Sequence, residues 1–181
     1  MLSWSIIGGI TLYVAAFFAG DRIAGDRIAR PIAGSLLLLV VIWFLVWMIR
    51  QNGAFPTSSV ARFGLTLAWV SLLFGAVLGI ILGLSTANQE VPGLDADLTS
   101  RLADAHPPAM VIGFLILAGV SIVEWLMRPV RSLGEDRWGT AQMLAIFAAG
   151  IIINIAFIVD SEDLLGPANG MEILGEIILI F

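Results

Sequence analysis

Cysteine and lysine are both missing from the 181 residues, and histidine occurs once, at His106. Without cysteine, disulfides, thiolate metal sites and thiol catalysis are excluded. Without lysine, the cationic side chains are nine arginines, a bias that reads as GC-rich codon usage rather than as a mechanism. The arginines stand scattered at the ends of apolar runs, and the formal net charge is −5. A chain with no basic stripe offers nothing to nucleic acid. Charge of either sign is scarce: 13% of residues are charged, 59% are hydrophobic, and mean hydropathy is +1.00. That is far more apolar than a soluble domain. No phosphate-cradling glycine loop, His-Glu-x-x-His helix or Ser/His/Asp arrangement is present.

What the chain does have is apolar sequence in helix-length runs. Six of them, 2–19, 31–49, 64–86, 107–127, 140–159 and 164–181, approach the length a spanning helix needs. They predict an all-α, polytopic transmembrane bundle of about six spanning helices in one domain, residues 1–181, with the lipid bilayer as partner. The opening Met-Leu-Ser-Trp-Ser carries no positive side chain before the apolar run, so the first run reads as a retained helix rather than a signal peptide. Arg50, Arg62, Arg128, Arg131 and Arg137 fall on one side, and Arg22, Arg27, Arg30 and Arg101 on the other. The acids Glu90, Asp95, Asp97, Asp104, Asp160, Glu162 and Asp163 share the second side. The five-arginine side, with both termini, is therefore expected in the cytoplasm. The last run ends in Ile-Ile-Leu-Ile-Phe without a polar stop, as a span continuing past Phe181 would.

Between the runs, Gly20-Asp21-Arg22-Ile23-Ala24 is duplicated as Gly25-Asp26-Arg27-Ile28-Ala29 and reads as a solvated linker. Residues 88–105 form the longest connection, with a short interfacial helix expected from Asp97. In the third run Ser71, Gly75, Gly79, Gly83 and Ala87 recur every four residues. Such a stripe lets another helix approach closely, whether within the bundle or in a second subunit or copy of the chain. Tryptophans 4, 43, 47, 69, 125 and 138 lie mostly toward run ends, as an aromatic belt requires.

Ionisable groups inside a membrane are costly, and they are where function is first sought. His106 and Glu124 are eighteen residues apart, five α-helical turns, which puts them on one helix face about 27 Å apart. That face carries Met110, Gly113, Leu117 and Val120 between them. His106 precedes Pro107, which favours the first helical turn, so the histidine is expected at the helix start near the interface. Asp104 is placed to hydrogen-bond its imidazole. With Met110 one turn on, His106 is a candidate metal ligand, since His and Met suit haem or copper. Glu124 has Arg128 four residues later, the favourable order for an ion pair. Glu172 and Glu176 are also four apart, but like-charged, and resist ionising together when buried. With Asn154 they outline a polar seam usable for protons or for interhelical hydrogen bonds.

The stretch 61–129 resembles the haem-copper oxidase subunit I-like superfamily. The likeness is carried by the glycine-rich run from Leu67 to Gly79 and by Ala105-His106-Pro107-Pro108-Ala109-Met110-Val111-Ile112-Gly113-Phe114; residues 169–181 are more loosely like terminal helices of the group. The resemblance puts His106 on the first histidine of an Ala-His-x-His pattern and Pro108 on the second, which removes that ligand. It implies haem as cofactor and a cell membrane of bacterial or archaeal type. Because the further histidines of full oxidases are absent, it implies a haem-binding or accessory subunit of a respiratory membrane complex, not a complete enzyme. A proton- or cation-coupled transporter using the glutamates, and a structural subunit associating through Gly75, Gly79 and Gly83, are the alternatives.

Overall fold

The computed structural model describes residues 2–23, 28–51, 59–87, 91–127 and 130–178. Among the described residues six helices of more than three residues follow one another: α1 (Leu2–Ile23), α2 (Ala29–Gln51), α3 (Val60–Thr86), α4 (Ala96–Met127), α5 (Arg137–Val159) and α6 (Leu165–Ile178). Among the described residues the only extended pairing is an isolated bridge between Ser59 and Ser132. Helices α2, α3, α4 and α5 are long and apolar enough to cross a membrane, while the apolar stretch Trp4–Phe18 of α1 is shorter. The chain is thus an all-α membrane protein.

Helix starts follow local capping chemistry. Ser59 accepts from the Arg62 amide at 3.4 Å, Asp95 from the Leu98 amide at 2.7 Å and Asp136 from the Gly139 amide at 2.8 Å. Each side chain satisfies an amide that has no intrahelical partner. Helix α5 ends on Asp160, whose φ of 56° turns the chain out of the helix in the left-handed region.

The Asp95 cap corrects the expected start of the fourth span. The helix does not begin at Pro107 after a separate interfacial helix; it runs unbroken from Ala96, with Pro107 and Pro108 inside it. The prolines remove two amide donors from the helical ladder. Directly after them, Ala109–Ile116 is π-helical, closing wider turns in which each amide reaches back five residues. His106 is therefore interior to the helix, not at its start. The uniform α-helical register that put His106 and Glu124 on one face about 27 Å apart does not hold across residues 109–116.

Helices α3, α4 and α5 pack on one another, α2 lies against α3, α1 against α2, and α6 against α5. Helix α3 is the centre: Val77 is its one exposed large hydrophobic residue among those described, whereas α1 and α2 expose many, as lipid-facing helices do. Leu117, Met143 and Ile146 are fully buried in a core with Val60, Phe63, Ala68 and Val120. A second cluster, Leu78, Leu102, Ala105 and Ala109, fills the end nearer the start of α4. At that end the Arg101 guanidinium donates to the Ile158 carbonyl at 3.0 Å, bracing α4 against the C-terminal end of α5.

Candidate functional site

The small-residue stripe of α3 closes against α4. A Cβ on Gly79 would sit 3.2 Å from the His106 ring, and one on Gly75 would sit 2.7 Å from Met110 Sδ. Ser71 meets Gly113, where an added Cβ would lie 2.8 Å from Ser71 Cβ. One turn beyond Gly79, Gly83 has drifted off α4 and faces Pro31 of α2 at 3.5 Å. At the other end of α3, Gly64 is closed over by Ser121 and Met143. Of the two uses weighed for the stripe, it serves packing inside this chain, since each of Gly75, Gly79 and Gly83 has an intramolecular neighbour.

The imidazole of His106 rests on Gly79, and its Nδ1 is buried without a hydrogen-bond partner among the described residues. Asp104 does not supply that partner: it is exposed, because two residues along a helix the side chain points elsewhere. His106 and Met110 line one cavity of about 570 Å³ between α1, α2, α3 and α4. Its walls are apolar, with Ile6 and Ile10 of α1, Leu37 of α2 and Leu72 and Ala76 of α3. Polar groups gather toward one end: Arg30 from the start of α2, Thr86 from the end of α3, and His106. The Arg30 guanidinium lies 4.6 Å over the Phe17 ring. Its volume, apolar walls and few polar groups are those of small-molecule sites.

Trp69 departs from the expected aromatic belt. It sits midway along α3, lines the same cavity, and stacks with Phe44 at 4.4 Å and Phe114 at 5.8 Å between ring centroids. Trp4, Trp43, Trp47, Trp125 and Trp138 are exposed.

The groups expected to form a polar seam are spread over three helices. Glu124 is buried on α4, while Arg128 lies outside the described residues. Asn154 is buried too, but its amide donates to Gly150 of its own helix at 2.6 Å rather than to a neighbour. Glu172 is partly exposed and Glu176 exposed, both on α6, which among the described helices packs on α5. A buried interhelical hydrogen bond comes from a residue the sequence reading passed over. Gln142, fully buried on α5, donates to the Gly175 carbonyl of α6 at 2.9 Å. Its signal was in the sequence: an amide in register with Gly139, Ile146 and Gly150 on a largely apolar helix.

Among the described residues no three His, Cys, Asp or Glu side chains gather as a metal site. Set against known protein families, curated proteins and solved structures, the chain matches none.

Proposed function

We propose that this chain is a six-span membrane subunit of a redox assembly, and that the cavity between α1 and α4 is its cofactor site, taking haem on His106. The observation that carries this reading is that the chain's one histidine opens, with Met110, onto an apolar cavity of about 570 Å³. His106 is the residue that would hold the haem. His106 has a buried ring nitrogen without a partner among the described residues, and apolar walls keep water from a bound macrocycle. Met110, one turn along the same helix, lines the cavity on the same side as His106 and would not itself hold the group. Met110 packs against Gly75 of α3. Haem held there would supply one-electron transfer.

The scattered glutamates support the transporter alternative less well, since Glu172 and Glu176 are separated from Glu124 by α5. The test is the optical spectrum of purified protein titrated with haem. A Soret band that is lost in His106→Ala and retained in Met110→Leu is the expected result. Absence of the band, or a band indifferent to His106→Ala, overturns the haem reading.

A further inference from the structure

We infer that the cavity is a cleft open to the bilayer between α1 and α4, entered from the lipid side, and that a phospholipid acyl chain fills it until the cofactor does. The inference rests on the reading of this cavity as a ligand site and names the phase from which its occupant is drawn.

Helix pairing leaves one seam open. The cavity is walled in turn by residues of α1, α2, α3 and α4. Among the described residues α1 packs on α2, α2 on α3 and α3 on α4, whereas α4 packs on neither α1 nor α2, and α1 does not reach α3. The closed seams are tight. A Cβ on Gly34 of α2 would lie 3.6 Å from the Tyr13 ring of α1 and 3.3 Å from Ile80 of α3, and one on Gly75 of α3 would lie 2.7 Å from Met110 Sδ of α4. The seam left over is the one between α1 and α4, and the cavity is accordingly not enclosed.

What borders the opening is hydrocarbon. Residues 4–18 of α1 and 109–117 of α4 carry no charged side chain. Val111 and Leu115, next to the lining residues Met110 and Phe114, are exposed, as are Ile7 and Val14 of α1. On helices that span a membrane, such surface meets lipid tails, so the cleft is continuous with the lipid interface of the chain. Its length also fits. Ile6, Ile10, Tyr13 and Phe17 line it from successive turns of α1, a run of about 16 Å at 1.5 Å per residue. One leaflet of a hydrocarbon core about 30 Å thick is about 15 Å deep, the reach of one acyl chain. Apolar walls do not retain water, and an unfilled cleft forfeits the dispersion contacts that a chain lying in it supplies.

The experiment reads Trp69, which lines the cleft from α3. Changing the five exposed tryptophans, by Trp4→Phe, Trp43→Phe, Trp47→Phe, Trp125→Phe and Trp138→Phe, leaves it as the one indole. In phosphatidylcholine vesicles its fluorescence should be largely lost when the acyl chains are brominated and should hold steady against aqueous acrylamide. Ala76→Phe, which fills the cleft, should remove most of the bromine quenching. Quenching by acrylamide but not by brominated chains overturns the proposal, and so does bromine quenching indifferent to Ala76→Phe. The unaltered protein gives a second measurement that needs no variant to fold. Phosphatidylcholine carrying a diazirine on its acyl chain should label Leu72 and Met110 inside the cleft as well as Val111 and Leu115 outside it. Labels confined to Val111 and Leu115 overturn the proposal. Haem titration separates the two readings. Bromine quenching of Trp69 without a Soret band removes haem and leaves the lipid cleft standing. A His106-dependent Soret band in a protein whose haem-free Trp69 ignores brominated chains does the reverse.

Discussion

Where α3 meets α4, a single methyl group on Gly113 would press to within 2.8 Å of Ser71 Cβ, and one on Gly150 of α5 would lie 3.2 Å from the Gly113 backbone. Where α3 faces α1, an apolar cleft of about 570 Å³ separates them. The first region is glycine against backbone, with no room for a side chain. Among the described residues the second is bridged by α2, since α1 packs on α2 and not on α3. In a bilayer, lipid tails are as apolar as leucine, so helices are held by close packing and hydrogen bonds. Cohesion should accordingly lie in the α3–α4–α5 seam, and binding in the α1–α4 cleft.

The sharpest way to break this contrast is to add bulk in each region. Gly113→Leu should abolish folding, and Gly113→Ala should cost about 1–3 kcal/mol by overpacking, read as lowered thermal stability in detergent. Gly119 is on the same helix with nothing within 4 Å of its added Cβ. There alanine should be neutral to stabilising by roughly 0.5–1 kcal/mol, the ordinary helix preference over glycine. Equal losses at the two glycines would erase the distinction.

A smaller effect is expected where α6 joins. Gln142→Ala removes the hydrogen bond to Gly175 and should cost about 1–3 kcal/mol. The loss should appear as earlier proteolysis of α6 than of α3. Smaller still, Ala76→Leu in the cleft should shift stability by no more than about 0.5 kcal/mol, as substitutions away from packed features do, while weakening ligand binding. A loss as large as that of Gly113→Ala would show the cleft to be part of the core.

The smallest effect lies at the loop before α5. Glu135 accepts from the Ser132 amide at 2.9 Å and from its hydroxyl at 2.8 Å. The Ser132 backbone and side-chain hydrogen bonds hold its carboxyl below the usual value of 4.5, with a further contribution from Arg131. A carboxyl lowered in the folded state stabilises the fold above its unfolded value, and that contribution disappears as pH falls through the lowered one. Acid titration of unfolding should show a shallow loss below about pH 4.5, absent in Glu135→Gln. The group is fully exposed, so the amplitude is slight.

Hydropathy alone made the class of fold legible, because runs near spanning length admit few other structures. The stripe from Ser71 to Gly83 was legible as a packing face, and His106 with Met110 as neighbours on one surface. The start of α4 was not. Pro107 carries the stronger single-residue signal for a helix start, yet the cap is Asp95, and the prolines are absorbed within the helix. The cavity was not legible either, because it joins Arg30, Trp69 and His106, residues far apart in sequence on three different helices. Gln142 was visible as a residue, but its partner is a backbone carbonyl of Gly175, and no side-chain pattern announces that.

The π-helical stretch 109–116 has one more consequence, in the language of insertions and deletions. Wider turns consume more residues over the same rise, so this stretch holds chain that a regular α-helix would not. Removing one residue there would let the turns tighten toward α geometry and change how the two halves of the helix are rotated about its axis, by less than the 100° that a deletion from a regular α-helix gives. His106 would shift against Gly79 and the cleft even if the residue removed, such as Val111 or Leu115, lines neither. The placement of the histidine thus depends on residue count between 109 and 116 as much as on residue identity at 106.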